Sequence, residues 1–367
     1  MSDVRRRRGY LDWMRGLAVL IMIEAHVIDS WTRVDARQSW QFMWAMILGG
    51  FGAPLFLFLA GASVALSAGS KLRRSGDVRF AANAVMRRGM WIFCLAFLFR
   101  VQAWILGMSS PRTLLKVDIL NIMGPAIVAA AAVWGAFRTT RARAVAFGCA
   151  ALVLTLLTPI VRAMPLDSWP SALVGYVRPI RGFSNFCIFP WAGFVMAGGI
   201  VGVLIDGVRT SAAEARLNAW LFAGGAALSL AAYGASFLPS LYAHSDFWGS
   251  SPAFFFLRTG IMTLAIGAAY GWEVLMSAPF WGSIDVRPGW SPMQQLGRTS
   301  LFIYWIHVEM VYGIISIPIH KALSHRAAWL SLGVFTLFML GCSVVKDRVV
   351  GWRAGRNSPP TPAFASQ

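Results

Sequence analysis

Ten apolar stretches, each long enough to cross a lipid bilayer, restrict the fold of this chain more than any other feature. A transmembrane helix needs about 20 mainly apolar residues. With 57% hydrophobic and only 13% charged residues, the chain is too apolar to hide that surface in a water-soluble core. The sequence therefore predicts an all-α, polytopic membrane protein built as a bundle of about ten transmembrane helices. The stretches are residues 11–30, 42–68, 86–107, 117–136, 144–162, 183–205, 217–238, 253–276, 297–319 and 326–345.

The segments between these stretches are short, which leaves no room for a separate soluble domain. We expect residues 1–350 to form a single transmembrane domain. The ending "GRNSPPTPAFASQ" is polar and rich in proline, so residues 351–367 are predicted to be a disordered cytoplasmic tail.

Lysine and arginine residues predict the orientation. When the N-terminus is placed inside, the inner segments hold more than twice as many of these residues as the outer ones, which predicts both termini in the cytoplasm. The net charge of +18 is scattered over loop ends, whereas a nucleic-acid binder clusters its basic residues on one face. We therefore expect contact with anionic membrane lipids and no binding of nucleic acid.

Cysteine usage predicts neither disulfides nor metal sites. Each of the four cysteines is isolated in an apolar span, without a C-x-x-C pair or a histidine at metal-ligand spacing. No sequence feature specifies an oligomeric state.

The first span, "YLDWMRGLAVLIMIEAHVIDSW", contains five ionisable residues. At 100° per residue, Arg15 and His26 are about 20° apart around the helix and about 16 Å apart along it. Asp12 and Asp29 flank that line, whereas Glu24 faces the opposite way. Ionisable groups inside a membrane normally face the bundle interior and mark a functional path. We therefore expect the stripe to line a cavity, and Glu24 to need its own partner or a watery pocket.

Two interpretations of the stripe remain open at the sequence level. Asp12 and Arg15 fit an interfacial ion pair that anchors the helix, with the arginine reaching the headgroups. His26 fits a structural histidine. It also fits a general base, because Asp29 stands one turn further on, at i+3, where a carboxylate orients an imidazole.

Four segments, in order along the chain, carry a resemblance to the membrane acyltransferase families. They are "LDWMRGLAVLIMIEAH", "GGFGAPLFLFLAGASVAL", "KVDILNIMGPAIV" and "LGRTSLFIYWIHVEMVYG". The chain resembles the bacterial branch related to heparan-alpha-glucosaminide N-acetyltransferase and, more distantly, the acyltransferase-3 family.

The resemblance implies transfer of an acetyl or other acyl group from cytosolic acyl-CoA to a sugar or glycan on the outer side of a bacterial inner membrane, without a metal. On matching positions, it makes His26 the catalytic base and Arg15 the paired arginine. The polar stripe itself adds Asp29, which would steer His26, and Asp12 as further catalytic candidates. The lysosomal member of the family has an asparagine where His26 stands, so acylation of a hydroxyl and of an amine both remain open.

Further candidates for substrate binding lie in other spans. Tyr304 and His307 share a helix face next to Glu309 and form either a second polar wall or a structural hydrogen bond. Arg100 and Arg258 are expected to pair with Asp118, Glu24 or Glu273. The inner loop "KLRRSGDVRFAANAVMRR" either holds coenzyme phosphates or serves topology alone. Three outer aromatic residues are candidates for sugar stacking or membrane anchoring, namely Trp169, Tyr242 and Trp248.

A proton-coupled transporter is the alternative function, because carriers also use intramembrane acids, histidines and arginines as relays. Many carriers contain a two-fold repeat of interrupted spans. We find no such repeat here, and this favours the enzyme.

Overall fold

A computed structural model describes residues 8–106, 110–166, 168–276 and 290–356. Within these ranges the chain is helical and forms no β-strand, only isolated bridges such as that between Thr32 and Leu323. The predicted all-α architecture is confirmed.

Fourteen α-helices make up the described part of the chain. They are α1 (Gly9–Trp31), α2 (Trp40–Gly49), α3 (Gly52–Ser75), α4 (Val78–Leu106), α5 (Ile119–Ala136), α6 (Thr140–Leu156), α7 (Thr158–Ala163), α8 (Ser171–Val177), α9 (Ile188–Gly207), α10 (Ser211–Ala235), α11 (Pro252–Met276), α12 (Pro292–Arg298), α13 (Ser300–Tyr312) and α14 (His325–Arg356). Three short 3₁₀ helices connect them, at Val34–Gln38, Pro111–Leu115 and Ile314–Ile319. Helix α14 extends into the segment predicted as a tail, and residues 357–367 lie outside the described residues.

Seven helical segments in the described ranges are long and apolar enough to cross a membrane. They are Trp40–Ser75, Val78–Leu106, Ile119–Ala136, Thr140–Ala163, Ile188–Gly207, Pro252–Met276 and His325–Arg353. The other three predicted spans correspond to α1, α10 and α13. Every bilayer-length segment of α1 contains at least three charged residues, and α13 has only 13 residues. The chain is an integral membrane protein.

Two predicted spans are interrupted in the structure. The stretch 42–68 breaks after α2 at Gly50, and α3 begins at Gly52. The stretch predicted at 297–319 is α13 followed by a 3₁₀ helix, instead of one continuous helix. At 1.5 Å per residue, α13 is about 20 Å long, which is shorter than the hydrocarbon core of a bilayer.

Helix α1 lies between α12 and α13, which pack against it in opposite directions. A Cβ atom on Gly16 would overlap the carbonyl oxygen of Met293, and one on Gly297 would overlap that of Asp12, so α12 runs antiparallel to α1. The chain then turns at Thr299, and α13 runs parallel to α1. Glycines at these two positions let the α1 and α12 backbones touch, a packing mode common between membrane helices.

The two ends of the bundle differ in charge. At the end where α1 begins, Arg8 binds Glu214 at 2.6 Å and Arg73 binds Asp206 at 2.9 Å. We call this the basic end, defined by Arg8, Arg73 and Arg298. At the opposite or far end, the backbone N–H of Leu323 donates to the carbonyl of Trp31 at 2.9 Å.

Candidate active site

A cavity of about 720 Å³ lies along the inner face of α1. Arg15 lines it towards the basic end, and His26 lines it further along the helix. Residues from α3, α4, α5, α9, α12 and α13 also line it. The predicted cavity is therefore present, but only these two members of the four-residue stripe line it.

His26 is held by a second histidine. Its Nδ1 lies 2.8 Å from Nε2 of His307, and Nδ1 of His307 lies 2.8 Å from the carbonyl oxygen of Ile303. A carbonyl only accepts, so Nδ1 of neutral His307 carries the proton and its Nε2 accepts one from His26. Neutral His26 is then protonated on Nδ1 and keeps a lone pair on Nε2. This is the protonation state of a general base.

Asp29 does not contact the imidazole of His26, although the sequence predicted that it would orient that ring. One of its carboxylate oxygens accepts from the Tyr312 hydroxyl at 3.3 Å, and the other lies 3.4 Å from Nη1 of Arg37. The structure places His307, instead of this carboxylate, in hydrogen-bond contact with the His26 ring. Asp29 approaches the cavity only through Tyr312, which lines it and packs edge-on against His26 at 5.5 Å between ring centroids.

Arg15 is fixed by two partners on different helices. Its Nη1 donates to Asp12 Oδ1 at 2.6 Å, and its Nη2 donates to the Ser63 hydroxyl at 2.7 Å. Asp12 is 2% exposed and does not line the cavity, so it orients Arg15 from behind. Because both terminal nitrogens are anchored, the guanidinium has a fixed position at the cavity wall, where its charge can attract an anion.

Arginines concentrate along the part of the cavity nearer the basic end. Arg88 of α4 and Arg298 of α12 line it together with Arg15. Arg298 also approaches Asp12, at 3.9 Å. Three guanidinium groups against one cavity suit a ligand that carries phosphates.

Asp118 connects three helices beside the cavity. Its Oδ2 accepts from the Tyr304 hydroxyl at 2.9 Å and lies 2.9 Å from Nη2 of Arg100. Its Oδ1 accepts from the backbone N–H of Ile119, and with Asn121 it forms a capping box that begins α5. The expected pairing of Arg100 with Asp118 is confirmed, and Tyr304 and Asp118 both line the cavity.

Three other candidates lie away from this cavity. Glu24 is 5% exposed, and neither carboxylate oxygen has a hydrogen-bond partner among the described residues. The pairing of Arg258 with this carboxylate is not found, since its guanidinium stacks on Phe254 at 3.8 Å. Glu309 is half-buried but does not line the cavity.

Several cavity residues escaped the sequence reasoning. Ser63, Arg298 and Tyr312 lie within segments that carry the family resemblance, but the sequence did not single them out as site residues. Asn185, at the far end, stands in a short polar segment before α9. Arg88 was covered by the coenzyme interpretation of the segment "KLRRSGDVRFAANAVMRR". The structure places it on α4, because the expected loop is mostly the end of α3 and the beginning of α4. Of the three aromatic candidates, Trp248 lines a second cavity, whereas Tyr242 donates to the Leu156 carbonyl.

Metal chemistry has no candidate site here. In the ranges that the structure describes, no group of three or more His, Cys, Asp or Glu side chains is arranged to hold an ion. The four cysteines are free.

Comparison with known families identifies the region that contains most of this site. Residues 7–245, about two thirds of the chain, match the family model described as heparan-alpha-glucosaminide N-acetyltransferase, catalytic. The matched region includes Arg15, His26, Ser63, Arg88 and Asp118, and it ends before α11. Among curated proteins no significant match is found.

Proposed function

The chain belongs to the heparan-alpha-glucosaminide N-acetyltransferase family of membrane acetyltransferases, and from that premise we propose how it works. It takes an acetyl group from acetyl-CoA, or a related acyl-CoA, at the cytosolic side. It passes the group to a hydroxyl or amine of a sugar or glycan at the outer side. His26 is the general base, and transfer is direct.

The hydrogen-bonded pair of His26 and His307 is the observation that carries this proposal. His26 donates a hydrogen bond to His307, which donates one to the carbonyl of Ile303. Nε2 of His26, on a ring that lines the cavity, therefore keeps a lone pair that can take a proton. Nε2 of His26 takes a proton from the hydroxyl or amine of the acceptor substrate. At the same time, the oxygen or nitrogen of that group bonds to the carbonyl carbon of the acetyl group. The carbon–sulfur bond then breaks, and His26 returns the proton to the thiolate that leaves. His307 stabilises the transient imidazolium of His26, because Nε2 of His307 accepts a hydrogen bond from Nδ1–H of His26.

The arginines of the cavity support the position of the donor. Acetyl-CoA supplies an activated thioester and a phosphate-rich arm. Arg15, Arg88 and Arg298 are the residues that would hold that arm, because arginine matches phosphate oxygens in a bidentate manner. The basic end is the cytoplasmic one under the positive-inside rule, so the donor enters there and both termini lie in the cytoplasm.

The test is acetyl transfer by the purified protein in lipid nanodiscs, with radiolabelled acetyl-CoA and a panel of amino sugars and neutral glycans. Replacing His26 with Gln should lower kcat by about 10² to 10⁴, the usual contribution of a positioned base. His244→Gln is the matched control, because His244 is exposed in a loop and should leave transfer unchanged.

A folded His26→Gln variant with wild-type turnover would refute the assignment of the base. Movement of a sugar into proteoliposomes in response to a proton gradient, without acetyl transfer, would instead indicate the proton-coupled transporter.

A further inference from the structure

Tyr312, the last residue of α13, contacts the proposed base directly. Its ring packs edge-on against the His26 imidazole, with 5.5 Å between ring centroids. His307 of the same helix stacks on that imidazole, nearly parallel and at 5.1 Å. Of these two rings of α13, Tyr312 lines the larger cavity and His307 does not. Tyr312 is therefore the neighbour of the base that a substrate in the cavity can meet.

The hydroxyl of Tyr312 is loosely held. It donates to Asp29 Oδ2 at 3.3 Å, beyond the range of about 2.5–3.0 Å that O–H···O hydrogen bonds usually span. A hydroxyl that donates to a carboxylate ordinarily comes closer still. Tyr304, which also lines the cavity, donates to Asp118 at 2.9 Å, and Arg100 holds that carboxylate as well. The Tyr312 hydroxyl can therefore exchange its acceptor more readily than that of Tyr304.

Arg37 compensates the charge of Asp29. Its Nη1 lies 3.4 Å from Asp29 Oδ1, and its Nη2 donates to the backbone carbonyl of Asp29. Its Nε donates to the carbonyl of Thr32 at 3.2 Å, which fixes the guanidinium at the end of α1. An isolated carboxylate would repel an anion that forms near Tyr312, but the paired guanidinium offsets that repulsion. Asp29 also keeps a partner when the tyrosine hydroxyl turns away.

Acyl transfer from a thioester creates a negative charge beside the base. Attack by the acceptor moves the carbonyl π electrons onto oxygen, and this oxyanion needs hydrogen-bond donors that are already in place. Arg15 is poorly suited to that task, because it lies about 16 Å from His26 along α1. Its two Nη atoms also hold Asp12 and Ser63. A donor for the oxyanion has to come from a residue nearer to the base.

We propose that the Tyr312 hydroxyl donates a hydrogen bond to this oxyanion, which makes Tyr312 a catalytic residue beside His26. The inference rests on the proposed acetyl transfer. The O–H turns from Asp29 to the carbonyl oxygen as the acceptor bonds to the carbonyl carbon, and Tyr312 keeps its proton throughout. When the C=O double bond re-forms and the carbon–sulfur bond breaks, the thiolate takes the proton from Nε2 of His26. The Tyr312 hydroxyl then returns to Asp29.

Tyr312→Phe tests this role, because it removes the hydroxyl and keeps the ring against His26. The full-length protein in nanodiscs is given acetyl-CoA and the acceptor that wild type uses fastest among the amino sugars and neutral glycans. The single-turnover rate of transfer should fall by about 10² to 10³, the usual loss for one oxyanion donor. KM for both substrates should stay nearly unchanged. Tyr233→Phe is the matched control, since Tyr233 is exposed on α10, lines neither cavity and should leave the rate as in wild type.

Fluorinated tyrosines at position 312 test the donor without removing it. Each fluorine makes the phenol more acidic and therefore a stronger hydrogen-bond donor. The oxyanion is a more basic acceptor than the Asp29 carboxylate, so the transfer rate should rise with the number of fluorines while the hydroxyl stays protonated. The nitrogen-15 NMR signals of His26 should be the same in wild type and Tyr312→Phe, because His307 sets the His26 tautomer.

Several results would overturn the proposal. They are a wild-type rate in Tyr312→Phe, a transfer rate that does not depend on fluorination, and a changed His26 tautomer in Tyr312→Phe, which would show that the tyrosine acts through the base. A raised KM for the acceptor with an unchanged rate would make Tyr312 a binding residue only. Absence of transfer by wild type would instead contradict the proposed function.

Discussion

His26 owes its proposed role to the position of one proton on its ring. The carbonyl of Ile303 orders the His307 tautomer, and His307 in turn orders that of His26. His307 is fully buried, so this arrangement is held by packing as well as by hydrogen bonds. A positioning residue of this kind acts on turnover, because it touches the base and not the substrate.

Replacing His307 with Ala should therefore lower kcat about tenfold or more and leave KM for both substrates nearly unchanged. The Nδ1–H of His26 loses its acceptor, and the two neutral tautomers of His26 then become mixed. Nitrogen-15 NMR of protein labelled at histidine measures the tautomer of His26 directly. In wild type, Nε2 of His26 should give the signal of an unprotonated ring nitrogen.

His307→Gln is the matched control, because its amide oxygen can still accept from His26 and should restore part of the turnover. A His307→Ala variant in which both kcat and the His26 tautomer stay as in wild type would show that the pair is only structural.

Helix α1 is placed by its direct contact with α12. Gly16 follows Arg15 in the chain and meets the Met293 carbonyl, while Gly297 precedes Arg298 and meets the Asp12 carbonyl. Helix packing therefore explains why residue 16 is a glycine. The same contact holds Arg15, Asp12 and Arg298 together, so helix packing and the arginine site depend on each other.

A Gly16→Ala substitution should destabilise the protein by about 1–3 kcal/mol, because the added methyl meets backbone that cannot rotate away. Acetyl transfer should fall as well, since Arg15 moves with the helix. Gly224→Ala on α10 provides the control: nothing lies within 4 Å of its Cβ position, and alanine favours the helix by up to about 1 kcal/mol. Thermal unfolding in nanodiscs measures both variants, and equal unfolding temperatures would contradict the close contact.

The two cavities together extend along the molecule from the basic end towards the far end. The larger cavity runs from Arg15 and Arg298 past His26 to Asn185, where the second cavity begins. In the proposed reaction, the donor lies on the arginine side of His26 and the acceptor on the Asn185 side. This arrangement suits a reaction across a membrane and explains why charged residues are found inside the bundle.

The proposed orientation predicts which loops are accessible from outside. In a variant with Cys94, Cys149, Cys187 and Cys342 replaced by Ala, a single Ser240→Cys between α10 and α11 should react with an impermeant maleimide in intact bacterial cells. A single Ser75→Cys at the end of α3 should react only after permeabilisation. Both serines are exposed, so reactivity reports the side of the membrane. The reverse pattern, or labelling of both from outside, would refute the predicted topology.

Much of the site could be anticipated because it lies on one helix. Helical periodicity placed Arg15 and His26 on a common face, and both line the cavity. The same reasoning failed for Asp29, whose distance along the chain from His26 suited a partner but whose side chain turns to Tyr312 and Arg37. It placed Glu24 off the cavity, as the structure does, but it could not identify the surroundings of Glu24 or Arg258, since these come from several separate helices.

The sequence by itself determined that the protein lies in a membrane, that it is all-helical, which family it resembles and which face of α1 lines the cavity. Hydropathy and the period of 3.6 residues are local properties of the chain, so the sequence contains them. Only the tertiary structure decided which residues meet. It paired His26 with His307 across 281 positions, broke the ninth predicted span at Thr299 and Gly313, and brought Arg162 and Arg258 to one small cavity. These contacts depend on how helices pack side by side, and the spacing of residues along one helix does not contain that information.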